Sequence, residues 1–265
     1  MYKLIAIDMD GTLLKEDKTI SGKTKKAIDE ARKKGVKVVI SSGRPVEGIE
    51  RYLKELNLTG KDDYVISFNG SMIQCVKSKK VISRSVLKGS DLLYLYKISR
   101  QIGVNIHAFS EIGCITPKLS KYTQLEGTAN RIPIKIVDFD KEDPKEDIFK
   151  VMMIDEPEIL EEAVKKIPNV LYDKYTVVRS EPYFLEFLNK KSNKGEGVKI
   201  LAEYLGIRQQ DVICIGDAGN DIHMIKFAGL GVAMGNAFDE VKEAADYITL
   251  TNEEDGVARV IEKFV

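Results

Sequence analysis

The chain has 265 residues, 43% hydrophobic and 31% charged, a globular composition that excludes an intrinsically disordered chain. Its 41 Lys+Arg match 41 Asp+Glu, so the formal charge is zero, which argues against a general nucleic-acid binder that needs a basic excess to contact phosphates. Two histidines (His107, His223) and three widely spaced cysteines (Cys75, Cys114, Cys214), with no Cys-x-x-Cys pair, argue against a structural zinc site and a disulfide framework. No apolar run reaches membrane-span length, and the apolar opening is interrupted by Asp8 and Asp10. The expected setting is therefore the cytoplasm, with no membrane and no nucleic-acid partner, and any metal chemistry has to rest on carboxylates.

In chain order, residues 3–7 read as a buried strand that ends at Asp8. Ser21 is placed to cap a helix running to about Lys34, with Arg32, Lys33 and Lys34 in the last turn, where cations suit the dipole, and Gly35 as its stop. Residues 36–40, apolar except for Lys37, read as a strand covered on both faces, followed by Ser41-Ser42-Gly43-Arg44-Pro45 and a second helix. A third strand over 64–68 ends in the turn dipeptide Asn69-Gly70. Strands alternating with helices predict a parallel sheet covered on both faces.

The pattern then changes. Residues 83–188 read as an α+β insert, with helices near 90–102 and 157–167 and hairpins built from 170–172, 177–179 and 183–187. The charge-dense stretch 138–147 reads as a solvated loop. The α/β pattern resumes after Asn193. Val198, Leu201, Ala202 and Leu205 make one helical face, 212–215 is a strand ending at Gly216-Asp217, and a helix over about 220–228, a strand over 231–233 and helices near 238–245 and 254–263 follow. The expected division is a split domain of residues 1–82 and 189–265, with a second domain of residues 83–188.

Four segments after strands or at a helix start could carry chemistry. Asp8 and Asp10, two apart in extended chain, face one point at the carboxyl end of the first strand, where open α/β sheets bind ligands. Two carboxylates that close repel unless a cation or a proton intervenes. The Ser42-Gly43-Arg44 turn can hold an anion or can be an ordinary strand-to-helix turn, and Arg44 fits a substrate contact and an ion pair equally well. Lys194 opens a helix, against the positive end of the dipole, a conflict that an anion nearby would resolve. Asp217, Asn220 and Asp221 lie within one turn and offer hard oxygen ligands suited to Mg²⁺, although an Asx-rich cap has the same composition. For both histidines a packed or surface role is expected, and for the cysteines a place in the core.

Together, Asp8-x-Asp10-Gly11-Thr12, Ser42, Lys194 and Gly216-Asp217-x-x-Asn220-Asp221 resemble the haloacid dehalogenase-like (HAD) superfamily. Ser-Ser-Gly-Arg-Pro, Phe-Asn69-Gly70, Val151-Met-Met-Ile-Asp-Glu-Pro157, Asn193-Lys-Gly and Asn252-Glu-Glu-Asp-Gly256 extend the likeness to its Cof-type sugar-phosphate phosphatases over essentially the whole chain. Ser42 stands where that family often has Thr. The resemblance implies a Rossmann-like parallel-sheet core with an inserted α+β class IIB cap. It implies a Mg²⁺-dependent phosphatase of small phosphomonoesters, with sugar phosphates as the substrate class and a monomer or homodimer as the assembly.

By the same resemblance Asp8 is the nucleophile that forms an aspartyl-phosphate. Asp10 is the general acid and base, and its environment should raise its pKa for the acid role. Mg²⁺ is expected on Asp8, the Asp10 backbone carbonyl and Asp217, with Asp221 completing or supporting the site. Ser42, Lys194 and Asn220 are expected on the phosphoryl oxygens, with the backbone near Met9 and Gly43. Arg44, Asn69 and cap residues around Ser120, Lys121, Tyr122 and Thr123 are candidate substrate contacts. A phosphosugar mutase, which would return the phosphoryl group to sugar, and a phospho-accepting binding module without turnover are the alternatives.

Overall fold

Four apolar residues, Leu4–Ile7, all fully buried, form β1 and set the centre of the larger unit. The computed structural model describes residues 1–265 and divides them into Met1–Arg84 with Asn193–Val265, and Ser85–Ser192. After β1 come α1 (Gly22–Lys33), β2 (Lys37–Ser41), α2 (Val46–Glu55), β3 (Tyr64–Ser67), β4 (Met72–Cys75) and β5 (Val81–Arg84). The insert holds β6 (Leu87–Lys88), α3 (Gly89–Ile102), β7 (Asn105–Ser110), β8 (Gly113–Thr116), α4 (Lys121–Asn130) and β9 (Ile134–Ile136). It continues with β10 (Asp147–Ile148), β11 (Lys150–Ile154), α5 (Pro157–Val164), α6 (Val170–Lys174), β12 (Tyr175–Glu181) and β13 (Phe184–Asn189). The first unit then resumes with α7 (Lys194–Tyr204), β14 (Val212–Gly216), α8 (Ile222–Phe227), β15 (Leu230–Ala233), α9 (Asp239–Ala244), β16 (Tyr247–Ile248) and α10 (Gly256–Phe264).

The first unit is built on one eight-stranded sheet in the order β16-β15-β14-β1-β2-β3-β4-β5. From β16 to β3 neighbouring strands are parallel, and β4 and β5 close that edge as antiparallel strands. From β1 the chain winds outward through β2 and β3, and from β14 it winds the other way through β15 and β16. The point between β1 and β14 is therefore a topological switch, where an open α/β sheet leaves a crevice at its carboxyl edge.

Period-two alternation assigns the two faces. Ile5, Ile7, Val38, Ile40, Ile213 and Ile215 pack with Ala27 and Ile28 of α1, Ile49 of α2 and Val257 and Ile261 of α10. Leu4, Ala6, Val39 and Cys214 pack with Val198, Leu201 and Ala202 of α7 and with Met224 of α8. Asp8 continues the Leu4–Ala6 alternation, so the strand carries it toward the face on which α7 lies. The expected helix cap is present: Ser21 accepts a hydrogen bond from the Thr24 N–H. No helix is long and apolar enough to cross a membrane.

The insert has a six-stranded sheet, β12-β13-β11-β7-β8-β9, antiparallel except between β8 and β9. One face buries Ile106, Ala108, Val151, Met153, Leu185 and Phe187 against α3, α5 and α6. The other carries polar groups: Lys150 lies 3.2 Å from Glu186 and 3.9 Å from Glu126 of α4. His107, fully buried on that face, is pushed down to about 3 by burial and the Lys150 charge, so it is a neutral packed side chain.

Several expectations differ from these elements. Residues 170–172 belong to the short helix α6, because Leu171 has to reach the apolar cluster under the sheet; the expected strand partner 177–179 instead pairs with β13. Helix α4 has mixed polarity with no clear apolar face, which is why periodicity does not reveal it; Ser120 caps it by accepting from the Thr123 N–H. Within 138–147, Phe139 is fully buried, so the stretch is tethered as well as solvated. The domain boundaries fall between Arg84 and Ser85 and between Ser192 and Asn193, against expected breaks at 82/83 and 188/189. The shift arises because β5 still pairs with β4, and because Ser192 Oγ donates to the Ser85 carbonyl inside the second unit.

Candidate active site

The carboxyl ends of β1 and β14 deliver Asp8 and Asp217 to the two sides of the switch point. The turn after β14 adds Asp221, fully buried, and the first residue of α7 adds Lys194, 1% exposed. Lys194 Nζ donates to Asp8 Oδ1 at 2.5 Å and to Asp221 Oδ1 at 2.6 Å. This resolves the conflict of a lysine at a helix N-terminus: the anions that hold it are Asp8 and Asp221. Asp221 Oδ2 accepts from the N–H groups of Asp217 and Ala218, both at 3.0 Å, so this side chain also shapes the loop. Thr12 Oγ1 donates to Asp217 Oδ1 at 2.6 Å.

Oxygens of Asp8, Asp217 and Asp221 lie within 4.8 Å of one another. Three carboxylates against one lysine leave an excess of two negative charges in a buried place. Burial, and after it the charge of Asp221, push the Asp8 carboxyl well above its ordinary range despite Lys194. Burial also pushes Asp217 up to about 6, against the Thr12 hydrogen bond. Burial alone would lower Lys194, but the charges of Asp221 and Asp8 outweigh it and raise its pKa. An all-oxygen, over-negative donor set of this kind fits a hard divalent cation of the Mg²⁺ type. Gly11, at φ +81°, passes so close that a methyl group there would collide with the Asp217 carboxylate, so the loop is shaped to this group.

Asp10 is the exception among the acidic residues. Its side chain leaves the cluster and meets Arg44, whose Nε donates to Oδ2 and whose Nη2 donates to Oδ1, both at 2.7 Å. Lys18 Nζ adds a contact at 2.9 Å. The sequence-based expectation of a raised pKa is reversed. Burial does push upward, but the Arg44 hydrogen bonds and the charges of Arg44 and Lys18 outweigh it, and the carboxyl is held below its usual range. Arg44, open between two roles in the sequence, makes an ion pair. Neither Thr12 nor Lys18 is identified by sequence reasoning. Thr12 stands inside the Asp-x-Asp-Gly-Thr motif, whereas Lys18 sits in an unpatterned turn with no signal.

The remaining expected residues of the first unit lie at the ends and loops of the same sheet. Ser42, buried at the end of β2, accepts from the Arg44 N–H through Oγ at 3.2 Å. Gly43 lies against the Asn69 amide, and Asn69, 2% exposed, accepts from Asn220 Nδ2 at 3.0 Å. Met9 is fully buried, and its carbonyl accepts from the Leu14 N–H. Ser120, Lys121, Tyr122 and Thr123 belong to the second unit at the start of α4, where Lys121 and Tyr122 both donate to Glu156.

Comparison with known proteins finds relatives along the whole chain. A family model described as haloacid dehalogenase-like hydrolase matches residues 5–261. The protein YxeH of Bacillus subtilis (strain 168) is 44% identical over 268 residues, covering 100% of this chain and 99% of that protein. The 5-amino-6-(5-phospho-D-ribitylamino)uracil phosphatase YcsE of the same organism is 36% identical over 263 residues, covering 99% and 96%. Among solved structures, the HAD subclass IIB sugar phosphatase BT4131 superposes with a TM-score of 0.83 at 28% identity, covering 99% of this chain and 98% of that one. The chain belongs to the haloacid dehalogenase-like hydrolases, in their Cof-type, subclass IIB branch, and is a phosphoric monoester hydrolase.

Proposed function

We propose that the enzyme is a Mg²⁺-dependent phosphatase of small phosphomonoesters, with phosphorylated sugars or polyols as its substrates, acting through an aspartyl-phosphate on Asp8. The observation that carries this reading is the Asp8–Lys194–Asp221–Asp217 cluster at the switch point, with Asp10 two residues beyond the nucleophile. Asp8, Asp217 and the Asp10 backbone carbonyl would hold the metal. Asp221, whose oxygens are engaged by Lys194 and two backbone N–H groups, would support it. When bound, Mg²⁺ offsets the charge that otherwise keeps a carboxylate away from a phosphate dianion.

Asp8 attacks phosphorus, and the bond to the leaving alkoxide breaks. Lys194, Ser42 and Asn220 steady the equatorial oxygens, with backbone N–H groups near Met9 and Gly43. Asp10 gives a proton to the leaving oxygen and then takes one from the water that hydrolyses the aspartyl-phosphate. Its depressed pKa suits the second task directly. For the first, the charges of Arg44 and Lys18 have to be drawn toward the incoming phosphate, which restores the upward pull of burial.

The selection of the leaving group is assigned to the insert, with Ser120, Lys121, Tyr122 and Thr123 as candidates. YcsE by its name acts on a ribityl phosphate, and BT4131 is described as a sugar phosphatase, which supports a polyhydroxyl leaving group. A reducing cytoplasm suits three buried, unbridged cysteines.

Purified protein with Mg²⁺ should release phosphate from p-nitrophenyl phosphate, and EDTA should stop it. Asp8→Asn should abolish release without unfolding the chain. Continued turnover by that variant would refute the nucleophile assignment. A panel of sugar and polyol phosphates then ranks substrates, and an isomerised hexose phosphate with little free phosphate would point to a mutase instead.

A further inference from the structure

Between β3 and β4 three consecutive residues take left-handed backbone: Phe68 (φ 50°), Asn69 (φ 53°) and Gly70 (φ 89°). Only the third is a glycine, and for Phe this conformation is a genuine outlier. Strain of this kind persists only when the surroundings over-determine it. Here the surroundings are three separate loops of the phosphoryl site. The N–H groups of Phe68 and Asn69 donate to the carbonyls of Arg44 and Ser42, at 3.1 and 3.0 Å. The backbone of Gly70 abuts the loop that starts α7, so closely that a methyl group there would collide with the Asn193 carbonyl oxygen, one residue before Lys194. The side chain of Asn69 lies against Gly43 and accepts from Asn220 Nδ2.

We propose that the left-handed turn Phe68-Asn69-Gly70 is the positioning device of the phosphoryl site, and that Asn69 works through Asn220. An amide offers two N–H donors at one end and an acceptor at the other. By accepting one Nδ2 proton, Asn69 sets the rotation of the Asn220 amide and leaves the second proton for a phosphoryl oxygen. Turned over, the same amide would present its oxygen to a phosphate and repel it. The turn also ties the Ser42–Arg44 loop to the Lys194 helix, so the groups proposed to hold the phosphoryl oxygens are spaced by one short segment. This inference rests on the phosphatase reading of the site.

The test is a double-mutant cycle in the Mg²⁺-loaded enzyme, read with p-nitrophenyl phosphate turnover, inhibition by orthovanadate and thermal unfolding. Asn69→Gly removes the acceptor while keeping a backbone suited to the left-handed region, so the variant should still fold, with the unfolding temperature lowered by only about a few degrees through the lost buried hydrogen bond. Its kcat/KM should fall about tenfold, the scale of one hydrogen bond, and vanadate inhibition should weaken in parallel. In an Asn220→Ala background the same change should cause almost no further loss, because the interaction it removes is already gone.

Wild-type turnover and vanadate inhibition in Asn69→Gly would overturn the proposal. So would losses that multiply in the double variant, or a loss of activity that merely tracks a lowered unfolding temperature. Absence of turnover by the wild-type enzyme on every phosphate ester would instead defeat the phosphatase reading itself.

Discussion

Replacing Lys194 by Met removes the single cation from the buried carboxylate cluster at nearly constant volume. Its Nζ contacts Asp8 at 2.5 Å and Asp221 at 2.6 Å, and oxygens of Asp8, Asp217 and Asp221 lie within 4.8 Å of one another. Two unit charges at 4.8 Å repel by about 3.5 kcal/mol at an effective dielectric near 20, before relaxation. Three such pairs come to about 10 kcal/mol, comparable to the whole stability of a domain, unless Lys194, protons or a metal intervene. Removing one partner of a buried ion pair costs about 3–5 kcal/mol. For a chain of this size that lowers the unfolding temperature by on the order of 10 °C. The assay is thermal unfolding near neutral pH in EDTA, repeated with millimolar Mg²⁺. Lys194→Met should unfold early in EDTA, recover part of the difference with Mg²⁺, and still lack turnover. Lys191→Met, at an exposed position, should change neither. An unfolding temperature in EDTA equal to that of wild type would refute the electrostatic argument, because the cluster would then tolerate its own charge without Lys194.

Two further outcomes follow from the same physics. His107 is held neutral in the folded insert, at about 3 against 6.5 for an ordinary imidazole, so the unfolded chain binds more protons below pH 6.5. Its contribution is intact above that pH and is lost as the pH falls, reaching about 2 kcal/mol by pH 5. Urea unfolding of wild type and His107→Gln between pH 7.5 and 5 measures this, and equal slopes would count against it. Thr12→Val removes the 2.6 Å hydrogen bond to Asp217 without changing shape, and should raise the half-saturating Mg²⁺ concentration about tenfold with kcat largely kept at saturation. An unchanged Mg²⁺ requirement would assign Thr12 to loop structure alone.

Strands buried on both faces are legible because they are nearly continuous apolar runs, so β1, β2 and β14 are found by inspection, together with the polar residues that follow them, Asp8, Ser42 and Asp217. Elements whose identity depends on a distant partner are not. Helix α4 has no apolar stripe, α6 exists to bury Leu171, and β16 is two residues paired to β15. In the site, residue identity and spacing point to Asp8, Asp217, Asp221 and Lys194. Their convergence depends on β1 and β14 being neighbours, although some 200 residues separate them in the chain.

The charge of Asp10 shows the limit most clearly. Two residues from Asp8, it could share the cluster or leave it, and the choice lies with Arg44, which arrives from the loop after β2, and with Lys18, which folds back from eight residues further along the same loop. Local sequence determined which chemical groups stand at the carboxyl ends of the strands, because periodicity and turn residues act over a few positions. Tertiary structure alone decided which groups face each other, and so which carboxyls are raised and which is lowered, because a pKa is set by burial and by charges brought close through space.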